Sequence, residues 1–108
     1  SREKGIGSEY QIHLDRIFAA DAFFPREEKG IGSEYQIHLD RHGDGKDYMI
    51  VRVEREQGGD PGGDGTLAAR VERDIRKETL VSPQVEIVAY QSLPRTERKS
   101  KRVFDHRI

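Results

Sequence analysis

The fold of this chain is decided between residues 35 and 54, which read YQIHLDRHGDGKDYMIVRVE. Apolar side chains occupy every second position on both sides of a polar centre: Tyr35, Ile37 and Leu39 before it, Met49, Val51 and Val53 after it. A period of two is typical of a strand with one buried face. The centre, residues 42–47, is rich in Gly and Asp, which tolerate the backbone of a tight turn. The segment predicts a β-hairpin.

A helix and another strand are predicted after the hairpin. Residues 57–65 consist mainly of Gly, Asp and Pro and predict a loop. From about Thr66 to Thr79 the apolar side chains share one helical face, with charges opposite: Leu67, Ala68, Val71 and Ile75. Pro83 prevents the helix from continuing, and an apolar strand is predicted from Val85 to Tyr90. The predicted fold class is α+β, a small mixed or antiparallel β-sheet with a helix packed on one face.

Composition limits the chain to one small domain. It has 108 residues, of which 33% are hydrophobic and 36% are charged, so the core is modest. The net charge of −1 gives no overall attraction to nucleic acid. The absence of cysteine excludes disulfides, a thiolate nucleophile and a cysteine zinc site. Without an apolar stretch of membrane-spanning length or a signal peptide, a cytoplasmic protein without a membrane partner is expected.

One block of sequence occurs twice. Residues 3–16 recur unchanged at 28–41. Two identical copies are too few for a repeat architecture, which needs at least three units to bury a continuous core. Only one copy can form the first strand of the hairpin, and the second copy is the one with the partner strand directly after it. The first copy is left to pair at a sheet edge, to replace a missing element, or to exchange strands with another molecule in a homodimer.

The C-terminal part is strongly basic. Residues 92–102 hold five of the 19 basic side chains and come directly after the last predicted strand. Such a cluster on a short segment suits an anionic ligand, a phosphate or a carboxylate. A solvated basic tail is the alternative.

This segment resembles the last motif of adenylate-forming enzymes, in particular the phenylacetate–CoA ligase group. It reads Leu93-Pro94-Arg95-Thr96-Glu97-Arg98-Lys99-Ser100-Lys101-Arg102. The group typically has Leu/Ile-Pro-Arg-Ser/Thr-Glu-Gly-Lys-x-Lys-Arg, so Arg98 stands here in place of its glycine. Three stretches upstream fit the group in the same order, at residues 35–37, 50–54 and 82–88. The resemblance covers residues 28–108, and residues 1–27 hold the first copy and a hinge-like segment.

The resemblance implies a function for the whole and roles for particular residues. The chain would be the mobile C-terminal domain of an acid–CoA ligase, inactive by itself, whose partner is a larger N-terminal adenylation domain. ATP with Mg²⁺ and coenzyme A would be used by the parent enzyme. Lys99 takes the place of the catalytic lysine of acyl-adenylate formation. Arg95, Lys101 and Arg102 would steer the anionic ATP or CoA.

The segment between the copies is similar to the hinge of that group, an Asp-led β-hairpin with Phe-Pro and a helix after it. Asp15 is then the hinge aspartate, and Phe24-Pro25 the end of the hairpin. The helix after Pro25 is nearly absent, because the second copy begins at Glu28. The alternative is that Phe18, Phe23 and Phe24 only fill the core.

Other functions are less well supported by the residues. A stand-alone regulatory or ligand-binding module is the main alternative. The basic segment could also bind nucleic acid, but it has no aromatic residues between Arg95 and Arg102 on which bases could stack. No metal site is predicted: on a strand, His38 and His42 would lie roughly 13 Å apart, and His106 stands in no recognisable arrangement with a carboxylate or nucleophile.

Overall fold

The computed structural model of the chain describes residues 11–94 and 102–107. In chain order the elements are helix α1 (Leu14–Ala22), strand β1 (Ile31–Arg41), strand β2 (Asp47–Arg55), a short 3₁₀ turn (Pro61–Gly63), helix α2 (Asp64–Thr79), strand β3 (Gln84–Val88) and strand β4 (Val103–Asp105). The four strands form one sheet in the order β3-β2-β1-β4. The predicted α+β class is confirmed.

The central pair of the sheet is the predicted hairpin. Strands β1 and β2 are antiparallel, and Ile37 lies opposite Val51 and Leu39 opposite Met49. Between them the chain turns with Gly45 at a φ of 82°, a conformation that glycine adopts without strain. The alternation of the sequence therefore places one apolar face of both strands towards the interior.

The two edge strands make the sheet mixed. β3 pairs with β2 and β4 pairs with β1, both in parallel. β3 ends at Val88, two residues before the predicted end of the strand, because the chain turns at Ala89, where Ser92 N donates to Ala89 O at 3.1 Å. β4 is not predictable from the sequence, since three residues show no period and only its pairing with β1 makes it a strand.

Helix α2 covers the apolar face of the sheet. Its buried side chains have the predicted helical period: Leu67, Val71, Ile75 and Thr79. It begins at Asp64, slightly before the predicted start, because the 3₁₀ turn leads directly into it. Asp64 accepts two hydrogen bonds from Arg55, at 2.8 and 3.0 Å, which join the helix start to the end of β2. The helix ends before Leu80, whose φ of 64° closes it.

Helix α1 shows that identical sequences fold differently in this chain. Residues 11–16 repeat residues 36–41, yet the second set lies in β1, whereas Leu14 begins α1. The expected β-hairpin of the hinge-like segment is therefore wrong. The alanine-rich stretch at 19–22 favours a helix, and Ile17 and Ala20 are buried in the same core as α2 and the sheet. In this structure the first copy supplies the beginning of a helix.

The core lies between the inner face of the sheet and the two helices. Of the three phenylalanines around α1, only Phe24 joins this core, where its ring stacks on that of Tyr35 with centroids 3.7 Å apart. Phe18 and Phe23 are exposed, so the idea that all three fill the core is wrong. No helix within the described ranges is long and apolar enough to cross a lipid bilayer.

Candidate functional site

The candidate site is the connection between β3 and β4. These two strands lie at opposite edges of the sheet, so the chain passes from one edge to the other between Val88 and Val103. The predicted site residues Arg95, Lys99 and Lys101 belong to this connection and lie outside the described residues, as does Arg98. Both flanks of the connection are described, and each is held by specific contacts.

The first flank is held by a buried carboxylate. Glu54, at the end of β2, has a relative exposure of 0%. Its Oε1 accepts a hydrogen bond from the backbone N–H of Gln91 at 2.9 Å, and its Oε2 accepts one from Leu93 N–H at 2.9 Å. The carboxylate thus binds the backbone of the turn after β3. In the sequence Glu54 is one of the polar residues that alternate with the apolar residues of the strand. The neighbouring residues do not distinguish it from Arg52, so its burial could not be predicted.

The second flank is Arg102, for which the motif predicts a role in steering an anionic ligand. Its carbonyl accepts a hydrogen bond from Ile37 N–H at 2.7 Å and thereby starts the pairing of β4 with β1. Its guanidinium carbon lies 4.6 Å from the centroid of the Tyr35 ring, and Nη1 lies 3.8 Å from a Glu34 carboxylate oxygen. The guanidinium therefore neutralises Glu34 and packs on an aromatic face, a favourable cation–π arrangement.

Tyr35 connects this flank to the hinge-like segment. Its hydroxyl donates to the Asp21 carboxylate and accepts a hydrogen bond from Arg26 at 2.6 Å. Burial of the phenol, together with the hydrogen bond to Asp21 and its negative charge, raises the pKa of Tyr35 well above its usual value. The hydroxyl thus remains a protonated donor, which links residues 21–26 to the strand against which Arg102 packs.

Asp15, the predicted hinge aspartate, lies apart from this arrangement. It is exposed in the first turn of α1, where a carboxylate interacts favourably with the helix dipole. Among the described residues, Asp15 forms no hydrogen bond or ion pair with Arg102. Glu54 therefore holds the first flank of the connection, and Arg102 packed on Tyr35 holds the second. Within the part of the chain that the structure describes, no hydrogen bond or ion pair joins Asp15 to either flank.

A second buried carboxylate fixes the far end of β4. Asp47 accepts hydrogen bonds from Arg41 at 2.8 Å, Arg107 at 2.9 Å and the backbone N–H of Ile12 at 2.8 Å. Burial alone would raise the pKa of Asp47, but these three donors outweigh it and hold the pKa below its usual value. The ion pair with Arg107 joins the end of β4 to the hairpin, and the hydrogen bond from Ile12 joins the chain before α1 to it.

Two histidines meet on the face of the sheet that bears no helix. His38 Nδ1 lies 2.9 Å from His106 Nε2, and His38 Nε2 lies 2.9 Å from Gln36 Oε1. Burial, and after it the charge of Arg52, lowers the pKa of His38. The sequence does not reveal this pair, because only the pairing of β4 with β1 places residue 106 beside residue 38. Within the described residues, no group of three or more His, Asp or Glu side chains is placed to hold a metal ion.

Comparison with known proteins gives a consistent result. Residues 26–107 match the family model described as AMP-binding enzyme C-terminal domain. A solved domain of phenylacetate-coenzyme A ligase from Bacteroides vulgatus ATCC 8482 superimposes with a TM-score of 0.65 at 30% identity, over 88% of this chain and 83% of that one. No curated protein sequence matches this chain.

A much longer ligase chain is also similar. A 2-hydroxyisobutyryl-CoA ligase, solved with 2-HIB-AMP and CoA in its thioesterification state, has a TM-score of 0.70 and 27% identity over 91% of this chain. The same ligase in its postadenylation state gives a TM-score of 0.67. The present chain spans 20% of that ligase's length, so it is similar to one domain of a larger enzyme.

Proposed function

The chain belongs to the family of AMP-binding enzyme C-terminal domains, and from this membership we propose that it supplies the catalytic lysine, Lys99, to an ATP-dependent acid–CoA ligase. The parent would join a carboxylic acid to AMP with release of pyrophosphate, and then transfer the acyl group to coenzyme A. A larger N-terminal domain would bind MgATP and the acid. The observation that carries the proposal is the family match over residues 26–107, which contains the whole motif at 93–102.

Lys99 suits the first half-reaction. Attack of a carboxylate on the α-phosphorus brings negative charges together and releases pyrophosphate. An ammonium group on a flexible stem can lie beside both the carboxylate and the phosphate oxygens and lower the energy of that charge distribution. The two described flanks support this role, because Glu54 and Ile37 hold the backbone on either side of the segment that contains Lys99.

The other predicted residues take auxiliary parts in the proposal. Arg95, Lys101 and Arg102 steer the anionic ATP or CoA towards the domain by long-range attraction. Arg102 contributes least, because its side chain is 25% exposed and is already paired with Glu34. The resemblance gives Asp15 the part of the hinge about which the domain turns between the two half-reactions. Because Ile12 and Ile17, on either side of it, are both buried in this domain, the turn would have to open one of these contacts.

The test uses the complete enzyme that carries this domain and measures the half-reactions separately. Lys99→Ala is expected to slow acyl-adenylate formation by about 10²–10³-fold, the loss typical of a group that stabilises transition-state charge. Thioester formation from supplied acyl-adenylate is expected to stay within about threefold of the wild type. Lys77→Ala, which removes an exposed cation from the last turn of α2, is the matched control and is expected to leave both rates within about threefold. Equal losses in the two half-reactions of Lys99→Ala would contradict the proposal.

A further inference from the structure

Glu54 is unusual among the charged residues of the sheet. It comes after Ile50 and Arg52 on the face that bears no helix, yet it is fully buried while Arg52 is exposed. Removing a carboxylate from water costs several kcal/mol unless its oxygens are well bonded. Both oxygens of Glu54 accept backbone N–H bonds at 2.9 Å. The carboxylate is covered by the very segment that it binds.

The bound segment is a sharp turn under local strain. Gln91 has a φ of 69°, a left-handed conformation that costs a non-glycine residue about 1 kcal/mol. Ser92 closes the turn, since its N–H and its hydroxyl both donate to Ala89 O, at 3.1 and 2.6 Å. The two N–H groups on either side of Ser92 then point at the same carboxylate. Glu54 therefore offsets the strain and sets the direction in which the chain reaches Pro94.

We propose that Glu54 is a positioning residue for adenylation, which fixes the turn at residues 89–93 and thereby the start of the segment leading to Lys99. The inference rests on the proposed function of Lys99. Pro94 has a restricted φ, so the orientation of the turn limits the direction in which the chain can leave it. A misplacement of about 1 Å at a reacting group can cost about 100-fold in rate. Thioester formation, which does not use Lys99, is unaffected by the turn.

Glu54→Gln tests this in the complete enzyme. The amide keeps the size of the side chain but replaces one acceptor oxygen by a donor, which faces a backbone N–H and cannot bond it. The kcat of adenylation is expected to fall about 10–100-fold, while its KM changes less than about threefold. The rate of thioester formation from supplied acyl-adenylate is expected to stay within about threefold of the wild type. Glu86→Gln is the matched control. Glu86 lies on the neighbouring strand, is exposed and pairs with Arg52, so its variant should match the wild type in both steps.

A double variant separates this inference from the proposed function. If Glu54 acts through Lys99, then Glu54→Gln combined with Lys99→Ala adenylates no more slowly than Lys99→Ala alone. A selective loss in Lys99→Ala without one in Glu54→Gln would overturn only the role of Glu54. If Lys99→Ala shows no selective loss, the proposed function itself is wrong. Equal slowing of both half-reactions by Glu54→Gln would make Glu54 a purely structural residue and also overturn the inference.

Hydrogen exchange in the 108-residue chain tests the contact without any assay of activity. The amides of Gln91 and Leu93 are expected to be protected in the wild type, and to exchange at least about tenfold faster in Glu54→Gln while the amides of Ile37 and Val51 are unchanged. If Glu54→Gln does not fold, Glu54→Asp, whose carboxylate is withdrawn by one methylene, takes its place in both experiments. Unprotected Gln91 and Leu93 amides in the wild type would by themselves overturn the inference.

Discussion

The two copies of the repeated block allow one residue to be tested in two environments. Leu14 and Leu39 occupy equivalent positions within the identical stretches at residues 11–16 and 36–41. Leu39 is 0% exposed on the central strand β1, opposite Met49, whereas Leu14 is 46% exposed at the first residue of α1. Leu39→Ala and Leu14→Ala are therefore a pair in which the substitution and the preceding residues are the same, whereas burial and secondary structure differ.

The difference in burial sets the expected loss of unfolding free energy in each variant. Leu39→Ala leaves a cavity in a closed core and should lower the free energy of unfolding by about 3 kcal/mol. Leu14→Ala loses only partial contact, and alanine is the better helix former, so a change of at most about 0.5 kcal/mol is expected. With a urea dependence of about 1.5 kcal/mol per molar, the midpoint of Leu39→Ala falls by about 2 M and that of Leu14→Ala by about 0.3 M.

Urea unfolding of the 108-residue chain, monitored by circular dichroism, measures both values. Similar losses in the two variants would refute the reasoning, because they would mean that the first copy also occupies the strand position. A midpoint that rises with protein concentration would show instead that the copies exchange between molecules. Either result would require a different account of α1.

Two further predictions concern charged groups of the sheet. The pKa of His38 is lowered from 6.5 in the folded chain. Its neutral form therefore contributes stability that is complete above pH 6.5 and is lost as the pH falls through the folded-state pKa. Between about pH 8 and about pH 5 the urea midpoint should fall in the wild type and fall less in His38→Gln. His13→Gln makes the same substitution at the exposed counterpart in the first copy and is the matched control. Equal slopes in all three chains would contradict the prediction. Asp47→Asn leaves the donors of Arg41, Arg107 and Ile12 without a carboxylate, so we expect a loss of about 2 kcal/mol by urea unfolding. Asp40 has no ion pair among the described residues, so the control variant Asp40→Asn should change stability by less than about 0.5 kcal/mol. If Asp40→Asn lost as much stability as Asp47→Asn, the buried contacts of Asp47 would not be the cause.

The contact pairs of the candidate site are less accessible to prediction than its motif. The stretch at 93–102 can be recognised because its residues are adjacent in sequence. Glu54 and Leu93, by contrast, are 39 positions apart, and His38 and His106 are 68 apart. Neither pair has a local pattern, since each exists only through the pairing of an edge strand with the central hairpin.

The hairpin, helix α2 and the motif that contains Lys99 can all be read from the amino-acid order, because side-chain periodicity and adjacent residues are properties of a short segment. Tertiary packing was needed to settle that one copy of an identical hexapeptide begins a helix while the other forms a strand. The local preferences of residues 11–16 and 36–41 are the same, so the difference arises from the residues after each copy and from the apolar surface that each copy can bury. Leu39 gains a place in the core that Leu14 does not have, and burial of a leucine outweighs the small difference between helix and strand propensities.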